Sequence, residues 1–525
     1  MVDHARMKTL GDVSRYQAEI QPDATAFTFE GRTVSYADFN RHTDLVASGL
    51  IAAGLKPGAR IAYLGKNSDA YFELFMGAPK AGVVMVPVNW RLAGPEVAFI
   101  VDDAAAPILF VGPEFYDLVA SLRDKLPKVH TIVAMEGGVP GWPAYEEWRD
   151  SQAITALPPV SRDDVALQLY TSGTTGLPKG AMLAHRNLLD MRASNAAARL
   201  PWDQWNGDDV SLVAMPVSHI GGTGWGLMGL YNGAKNVVAR EFNPNAVLDF
   251  IEHDKVSKLF MVPAAMQIVL RDPRSRHVDY SRLKYILYGA SPIPLELLRE
   301  GMEVFKCGFV QNYGMTETCG TVVALPPEDH VPEGSPRMRS AGKPLPGVRI
   351  KILGEDGSSL PPHQVGEIAI HSPANMAGYW NLPDATAKTI DADGWLRTGD
   401  AGYVDEDGYV YVHDRVKDMI ISGGENVYPA EVENAVFGHP DVADVAVIGV
   451  PDERWGEAVK AIVVLKPGAT ADVGGIIAWT RERIAAYKSP KSVDFIEALP
   501  RNASGKILRR ELRDPYWAGK DRRVN

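Results

Sequence analysis

The spacing of apolar residues changes period repeatedly along the first 340 positions. Residues 36–53 place them at helical spacing, 60–64 form a short β-rich run, 69–81 return to helical spacing, and 83–88 are β-rich again. Residues 96–103 and 108–111 continue the alternation, which resumes in 259–262, 285–288 and 309–311. This rhythm predicts layered α/β structure with largely parallel sheets. Near Gly342 the texture changes. Short strands at 348–353, 365–371 and 409–413, separated by Gly, Pro and Asp turns, predict a small all-β unit. Beyond 414–418 a compact α+β pattern follows: a helix from Pro429, strands at 445–450 and 461–465, a helix at 475–486 and a strand at 493–496.

At 525 residues the chain is too long for one core, so several domains are expected. A net charge of −11 argues against general nucleic-acid binding, but not against small anions held by local cations and loop dipoles. Two cysteines, Cys307 and Cys319, give no disulfide framework and fit a reducing cytoplasm. The first ten residues carry no apolar signal core, and no apolar run reaches the length of a membrane helix. A cytoplasmic monomer or homodimer is expected. Peripheral membrane contact stays open through the Arg-rich tract 271–284, for which a solvated loop is the plainer alternative.

Residues 170–180 read Tyr-Thr-Ser-Gly-Thr-Thr-Gly-Leu-Pro-Lys-Gly. Gly173 and Gly176 permit a backbone that folds back and points N–H groups at an anion. Ser172, Thr174 and Thr175 add three hydroxyls and Lys179 a cation, so the segment suits a polyphosphate. It is not the usual P-loop: counting from Gly173, Pro178 stands at the second glycine and Gly180 at the Ser/Thr. A flexible surface turn is the alternative.

Two further segments follow β-rich runs, where ligands of open α/β sheets gather. The first is Tyr288-Gly289-Ala290-Ser291-Pro292 and the second Asn312-Tyr313-Gly314-Met315-Thr316-Glu317. An aromatic face at Tyr313 can stack on a base, Thr316 can bond phosphate oxygens, and Glu317 is a hard oxygen ligand suited to Mg²⁺ beside phosphates. A Thr-Glu helix cap at a surface turn is the other reading.

The loop, these segments, and three later ones resemble, in order, the signatures of the acyl-adenylate-forming (AMP-binding) enzymes, closest to bacterial fatty-acyl-CoA synthetases. The later ones are Thr398-Gly399-Asp400, Asp414-Arg415-Val416-Lys417-Asp418, and Gly423-Gly424 with Ser504-Gly505-Lys506. The resemblance implies a large N-terminal domain (1–416), built of two layered α/β sheets plus a small β-barrel, and a mobile α+β domain (417–525). It assigns 171–176 and Lys179 to phosphate, and 289–291 and 312–315 to the nucleotide, with Tyr313 on adenine. Thr316 and Glu317 go to phosphate and Mg²⁺, Asp400 and Arg415 to ribose, Lys417 to the hinge, and Gly423 and Gly424 to the pantetheine channel. Lys506 becomes the catalytic lysine between the carboxylate and the phosphates, and His219 borders the acyl site.

An ATP-dependent acyl-CoA synthetase is therefore expected, taking a carboxylic acid, MgATP and CoA. The alternatives are an adenylating enzyme that loads a separate carrier protein, a nucleotide-binding regulator without turnover, and a luciferase-like oxygenase. No fused carrier domain follows Lys506, which favours free CoA. The resemblance lines the acyl pocket from 219–225, 288–291 and 313–318. In it 221–224 are expected to leave space, and no Lys or Arg stands there to meet a second carboxylate. A medium-to-long aliphatic acid or a bulky ring-bearing acid is expected.

Overall fold

The computed structural model describes residues 2–171, 177–415, 418–423, 425–502 and 505–518, and of Arg415 the backbone only. The expected phosphate-loop residues Ser172, Gly173, Thr174, Thr175 and Gly176, with Lys417 and Gly424, lie outside them.

Each strand–helix alternation of the first half is found close to its expected bounds. Strand Arg60–Leu64, helix Asp69–Gly77, strand Val84–Val88, helix Gly94–Asp103 and strand Ile108–Val111 follow one another. Local chemistry starts the helices. Thr9 accepts Asp12 N–H in a capping box, while Ser35 and Ser68 accept the N–H groups of Asp38 and Tyr71.

Among the described residues these strands build two large sheets. One is seven-stranded, parallel at its centre, with Val165–Thr171 beside Val84–Val88 and the antiparallel strand Lys179–Ala184 closing a hairpin. The other is nine-stranded, with parallel neighbours Gly308–Met315, Tyr285–Gly289 and Lys258–Met261. The main core lies between the sheets and draws Phe27 and Val238 from one and Ile61, Met85 and Leu167 from the other. Phe27 and Phe72 stack there at 5.1 Å between ring centroids.

The all-β unit is an antiparallel four-stranded sheet of Arg349–Leu353, Gly366–His371, Leu396–Val404 and Val410–Arg415, its pairing running as an open path. The C-terminal unit pairs Val442–Asp452 with Gly456–Leu465, and packs Pro429–Phe437 on the first of these strands. It docks on the N-terminal part through Gln267 Nε2 and Arg271 NH2. Both donate to Ala443 O, at 2.8 and 3.0 Å. The Arg-rich tract is thus engaged at its start. Arg276 pairs with Glu300 at 2.9 Å and Lys284 with Asp209 at 2.6 Å, while Arg282 NH2 donates to Asp208 O at 3.3 Å, so these cations are engaged locally. Among the described residues no helix is long and apolar enough to cross a membrane.

Two buried histidines far apart in the fold are held neutral. His185 Nδ1 accepts Leu10 N–H at 3.0 Å. In His330, Nδ1 donates to Pro326 O, so Nε2 accepts from Tyr288 O–H at 2.9 Å. Burial pushes each down to about 4. The unfolded chain, with histidines near the ordinary value of about 6.5, takes up protons first as pH falls. The associated stability is present above pH 6.5 and is lost toward pH 4, by up to about 3 kcal/mol per histidine. Melting temperature followed from pH 7.5 to 4 is expected to drop through this window. A flat profile would contradict it.

Candidate active site

Three of the segments singled out in the sequence, at 171, 289–291 and 312–317, lie at or just past the carboxyl ends of strands in the two large sheets. Strands Val165–Thr171 and Lys179–Ala184 pair Thr171 with Lys179 in register, so both stand at the mouth of the 172–178 connection. Thr171 Oγ1 donates to Glu317 Oε1 at 3.2 Å. Tyr379 O–H donates to the same oxygen at 2.8 Å. The Lys179 ammonium lies 5.1 Å from the centre of the Tyr379 ring. Tyr379 is thus held between a cation and a buried carboxylate. Sequence reasoning missed it, because a tyrosine in Gly378-Tyr379-Trp380 carries no signature of its own.

Glu317 is positioned by the turn Thr316–Thr318 that ends strand Gly308–Met315. Thr318 Oγ1 accepts Met315 N–H at 2.9 Å and donates to Gly320 O. Close backbone packing fixes the glycines here. A Cβ on Gly314 would lie 1.8 Å from Gly320 O, and one on Gly289 2.1 Å from Asn312 O, its register partner on the next strand. Ala290 follows with φ +68°, a left-handed backbone at the strand's end.

Tyr313 O–H donates to Asp400 Oδ2 at 2.7 Å, joining the two segments assigned to adenine and ribose. Asp400 and Arg415, fifteen residues apart, are register partners across their two strands. Ser291 and Lys506 line one crevice of about 100 Å³ between the N-terminal and C-terminal parts. Beside Lys506 the two parts approach closely: a Cβ on Gly505 would meet Val262 Cγ2 at 3.2 Å, just past strand Lys258–Met261. Gly423 is elsewhere. Its N–H donates to Trp455 O, and its α-carbon faces the Trp455 ring, so it is not brought to that crevice.

His219 sits at the N-terminus of helix Ile220–Tyr231. Burial, with a smaller push from the Arg91 cation, lowers it to about 4, so it is neutral near pH 7. The expectation that 221–224 leave space is corrected at Gly222, whose missing Cβ would fall 2.2 Å from Pro216 O. Gly221 faces Phe260 at 3.1 Å and Gly224 faces the end of Arg192 at 3.3 Å. As expected, segments 219–225, 288–291 and 313–318 carry no Arg or Lys of their own. Arg192 arrives from helix His185–Ala198, outside the segments read as pocket lining.

The AMP-binding enzyme profile matches residues 14–380, and the AMP-binding enzyme C-terminal domain matches 431–506. The chain belongs to this family of AMP-forming ligases. It is 44% identical over 522 residues to the fatty acid–[acyl-carrier-protein] ligase ScoC of Streptomyces coeruleorubidus, covering 99% of both chains. It is 42% identical over 510 residues to feruloyl-CoA synthase of an Amycolatopsis species (97% and 99% covered). To the long-chain-fatty-acid–CoA ligase FadD13 of Mycobacterium tuberculosis it is 35% identical over 518 residues (98% and 99%). Among solved structures, ATP-bound MatB from Rhodopseudomonas palustris superposes with a TM-score of 0.87 at 30% identity, covering 97% and 99% of the two chains.

Gly222 and Gly224 differ in what they tolerate. Gly222→Ala pushes a methyl into backbone carbonyls and is expected to cost about 3 kcal/mol or more. Gly224→Ala approaches only side-chain atoms, Arg192 NH2 at 3.3 Å and Ile220 Cδ1 at 3.5 Å, and is expected to melt within a few degrees of the parent. Paired melting curves check this; equal melting of both variants would contradict it.

Proposed function

We propose that the chain is an ATP-dependent acyl-CoA synthetase working through an acyl-adenylate. The observation that carries this reading is the crevice shared by Lys506 and Ser291, which follows strand Tyr285–Gly289, the parallel neighbour of the strand Gly308–Met315 that carries Tyr313 and leads into Glu317. The acid's carboxylate oxygen attacks the α-phosphorus of ATP, the bond to pyrophosphate breaks, and acyl-AMP remains. Both partners are negative, so positioning and charge neutralisation do most of the catalysis. Lys506 and Lys179 bring cations, Tyr313 stacks on adenine, and Asp400 with Arg415 takes the ribose hydroxyls. Residues 171–176, 289–291, 312 and 314–316 cradle the rest of the nucleotide. The carboxylate is ionised at neutral pH and needs no base. Neutral His219 lines the acyl end without adding charge there.

Glu317 would hold Mg²⁺, since one buried carboxylate suits a metal carried mainly by phosphates, and the metal when bound neutralises phosphate charge. Residues 417–525 then swing about Lys417 relative to 1–416, withdrawing Lys506 and presenting Gly423 and Gly424. The CoA sulfur attacks the acyl carbon, the acyl–phosphate bond breaks, AMP leaves, and the thiol proton passes to solvent. Such a swing can limit turnover. The acid is a fatty or ring-bearing one, in line with the names of the relatives. A second reading, transfer to a carrier protein, is favoured by the similarity to ScoC. Pyrophosphate release from a panel of acids, with CoA or with a phosphopantetheinylated carrier as acceptor, decides between them. No release with any acid would overturn both.

Lys506→Ala is expected to lower acyl-AMP formation by two to four powers of ten, roughly the cost of one preorganised charge. Thioester formation from pre-made acyl-AMP should persist, and equal loss in both half-reactions would contradict the role. Tyr379→Phe removes one donor from Glu317 Oε1 while keeping the ring under Lys179. It should raise the Mg²⁺ concentration needed for half-maximal rate. It should also weaken calorimetric binding of a non-hydrolysable Mg-ATP analogue by several-fold. Unchanged metal dependence and binding would remove Tyr379 from this role.

A further inference from the structure

Arg192 is 8% exposed, yet its guanidinium forms no ion pair within 4.0 Å among the described residues. NH2 donates to Gly224 O at 2.8 Å and NH1 donates to Leu188 O, so two arms are spent on backbone carbonyls. Nε is left without a hydrogen-bond partner, and so is Nε1 of Trp225, the residue after Gly224, which is 7% exposed. Both groups are donors only. The Arg192 guanidinium lies against the first turns of helix Ile220–Tyr231, within the 219–225 segment expected to line the acyl pocket. A Cβ on Gly320 would meet Ile220 Cγ1 at 3.5 Å, and one on Gly224 would meet both Ile220 Cδ1 at 3.5 Å and Arg192 NH2 at 3.3 Å.

A buried donor without an acceptor is expensive, and a buried cation without a paired acid more so. Asp203, the acid whose charge Arg192 senses, is a weak counter-charge, because burial pushes its carboxyl up to about 7. What complements this corner is an acceptor, best an oxygen with full or partial negative charge. A hydrocarbon chain cannot supply one.

We propose that Arg192 and Trp225 form a distal subsite that receives an oxygen on the acid, remote from its reacting carboxylate. The preferred substrate is then a hydroxy-, alkoxy-, oxo- or dicarboxylic acid rather than a plain hydrocarbon one. This rests on the reading of the chain as an acid-activating ligase and deepens it. Arg192 acts as a specificity residue: it selects the acid and takes no part in phosphoryl transfer.

Two matched pairs test it: 3-phenylpropanoate against 3-(4-hydroxyphenyl)propanoate, and octanoate against octanedioate. Each is measured by pyrophosphate release and, as acyl-sulfamoyl-adenosine mimics, by calorimetry. In at least one pair the oxygenated member should be favoured about ten- to a hundredfold in kcat/KM, mostly through KM, as for a hydrogen bond to a charged group. Arg192→Met should bring that ratio close to one. A wild-type ratio at or below one in both pairs, or a preference that survives Arg192→Met, overturns the subsite. Where Arg192→Met fails to fold, Trp225→Phe removes the indole N–H, and the same ratio decides. Adenylation of even one acid keeps the ligase reading standing whichever way the ratios fall. Release from none, with the ATP analogue still bound, overturns the ligase reading itself.

Discussion

One carboxylate oxygen, Glu317 Oε1, is where the two large sheets are tied together at their active ends. Glu317 leaves the nine-stranded sheet, while the hydroxyls that reach it, Thr171 and Tyr379, belong to strands of the seven-stranded one. Glu317 is 5% exposed, so its buried oxygens need hydrogen-bond donors, and those two supply them. Three segments distant in sequence therefore have a single compatible arrangement. The phosphate-loop mouth, the turn after strand Gly308–Met315 and the Gly378–Tyr379 edge cannot drift independently.

The C-terminal part is joined to this frame more lightly. Its contacts across the boundary include single hydrogen bonds to neutral groups, such as Asn434 Oδ1 accepting Leu295 N–H at 3.2 Å and Ala443 O accepting from Gln267 and from the Arg271 guanidinium. Charge is concentrated at the base of the joint. There Arg509 pairs with Glu433 at 2.7 Å and with Asp414 at 3.4 Å. Asp414 belongs to the strand that ends the four-stranded sheet, and Glu433 to the C-terminal unit. A rotation after residue 415 would keep the Glu433 pair and strain only the other. Light, largely polar contact of this sort is compatible with relative domain motion.

Much of this was legible in the sequence because the alternation of periods, 3.6 and 2, marks element type directly. Strands Arg60–Leu64 and Ile108–Val111 were found at the bounds read from apolar spacing alone. Motif order grouped Glu317, Tyr313, Asp400 and Lys506, and of these the structure joins Tyr313 to Asp400 by a hydrogen bond and sets Lys506 beside Ser291. What stayed hidden was tertiary. Tyr379 and Arg192 act from elements without a motif, and their meaning comes from what they touch. The glycines of 221–224 look alike as letters but differ by which atoms lie within 3 Å of a missing methyl. A local pattern does not contain that information. Helix Val473–Arg481 also proved shorter at its end than the 475–486 expected, since apolar spacing does not register where a helix stops.

The geometry of helix Ile220–Tyr231 has a practical corollary for anyone randomising its first turn. Position 222 is an alphabet of one letter, because backbone carbonyls cannot step aside, whereas 221 and 224 face side chains, Phe260 and Arg192, that can be varied with them. A saturation library spread evenly over the four positions would lose every non-glycine codon at 222 to misfolding. Diversity directed to 221 and 224, with Phe260 and Arg192 varied alongside, would survive to be screened.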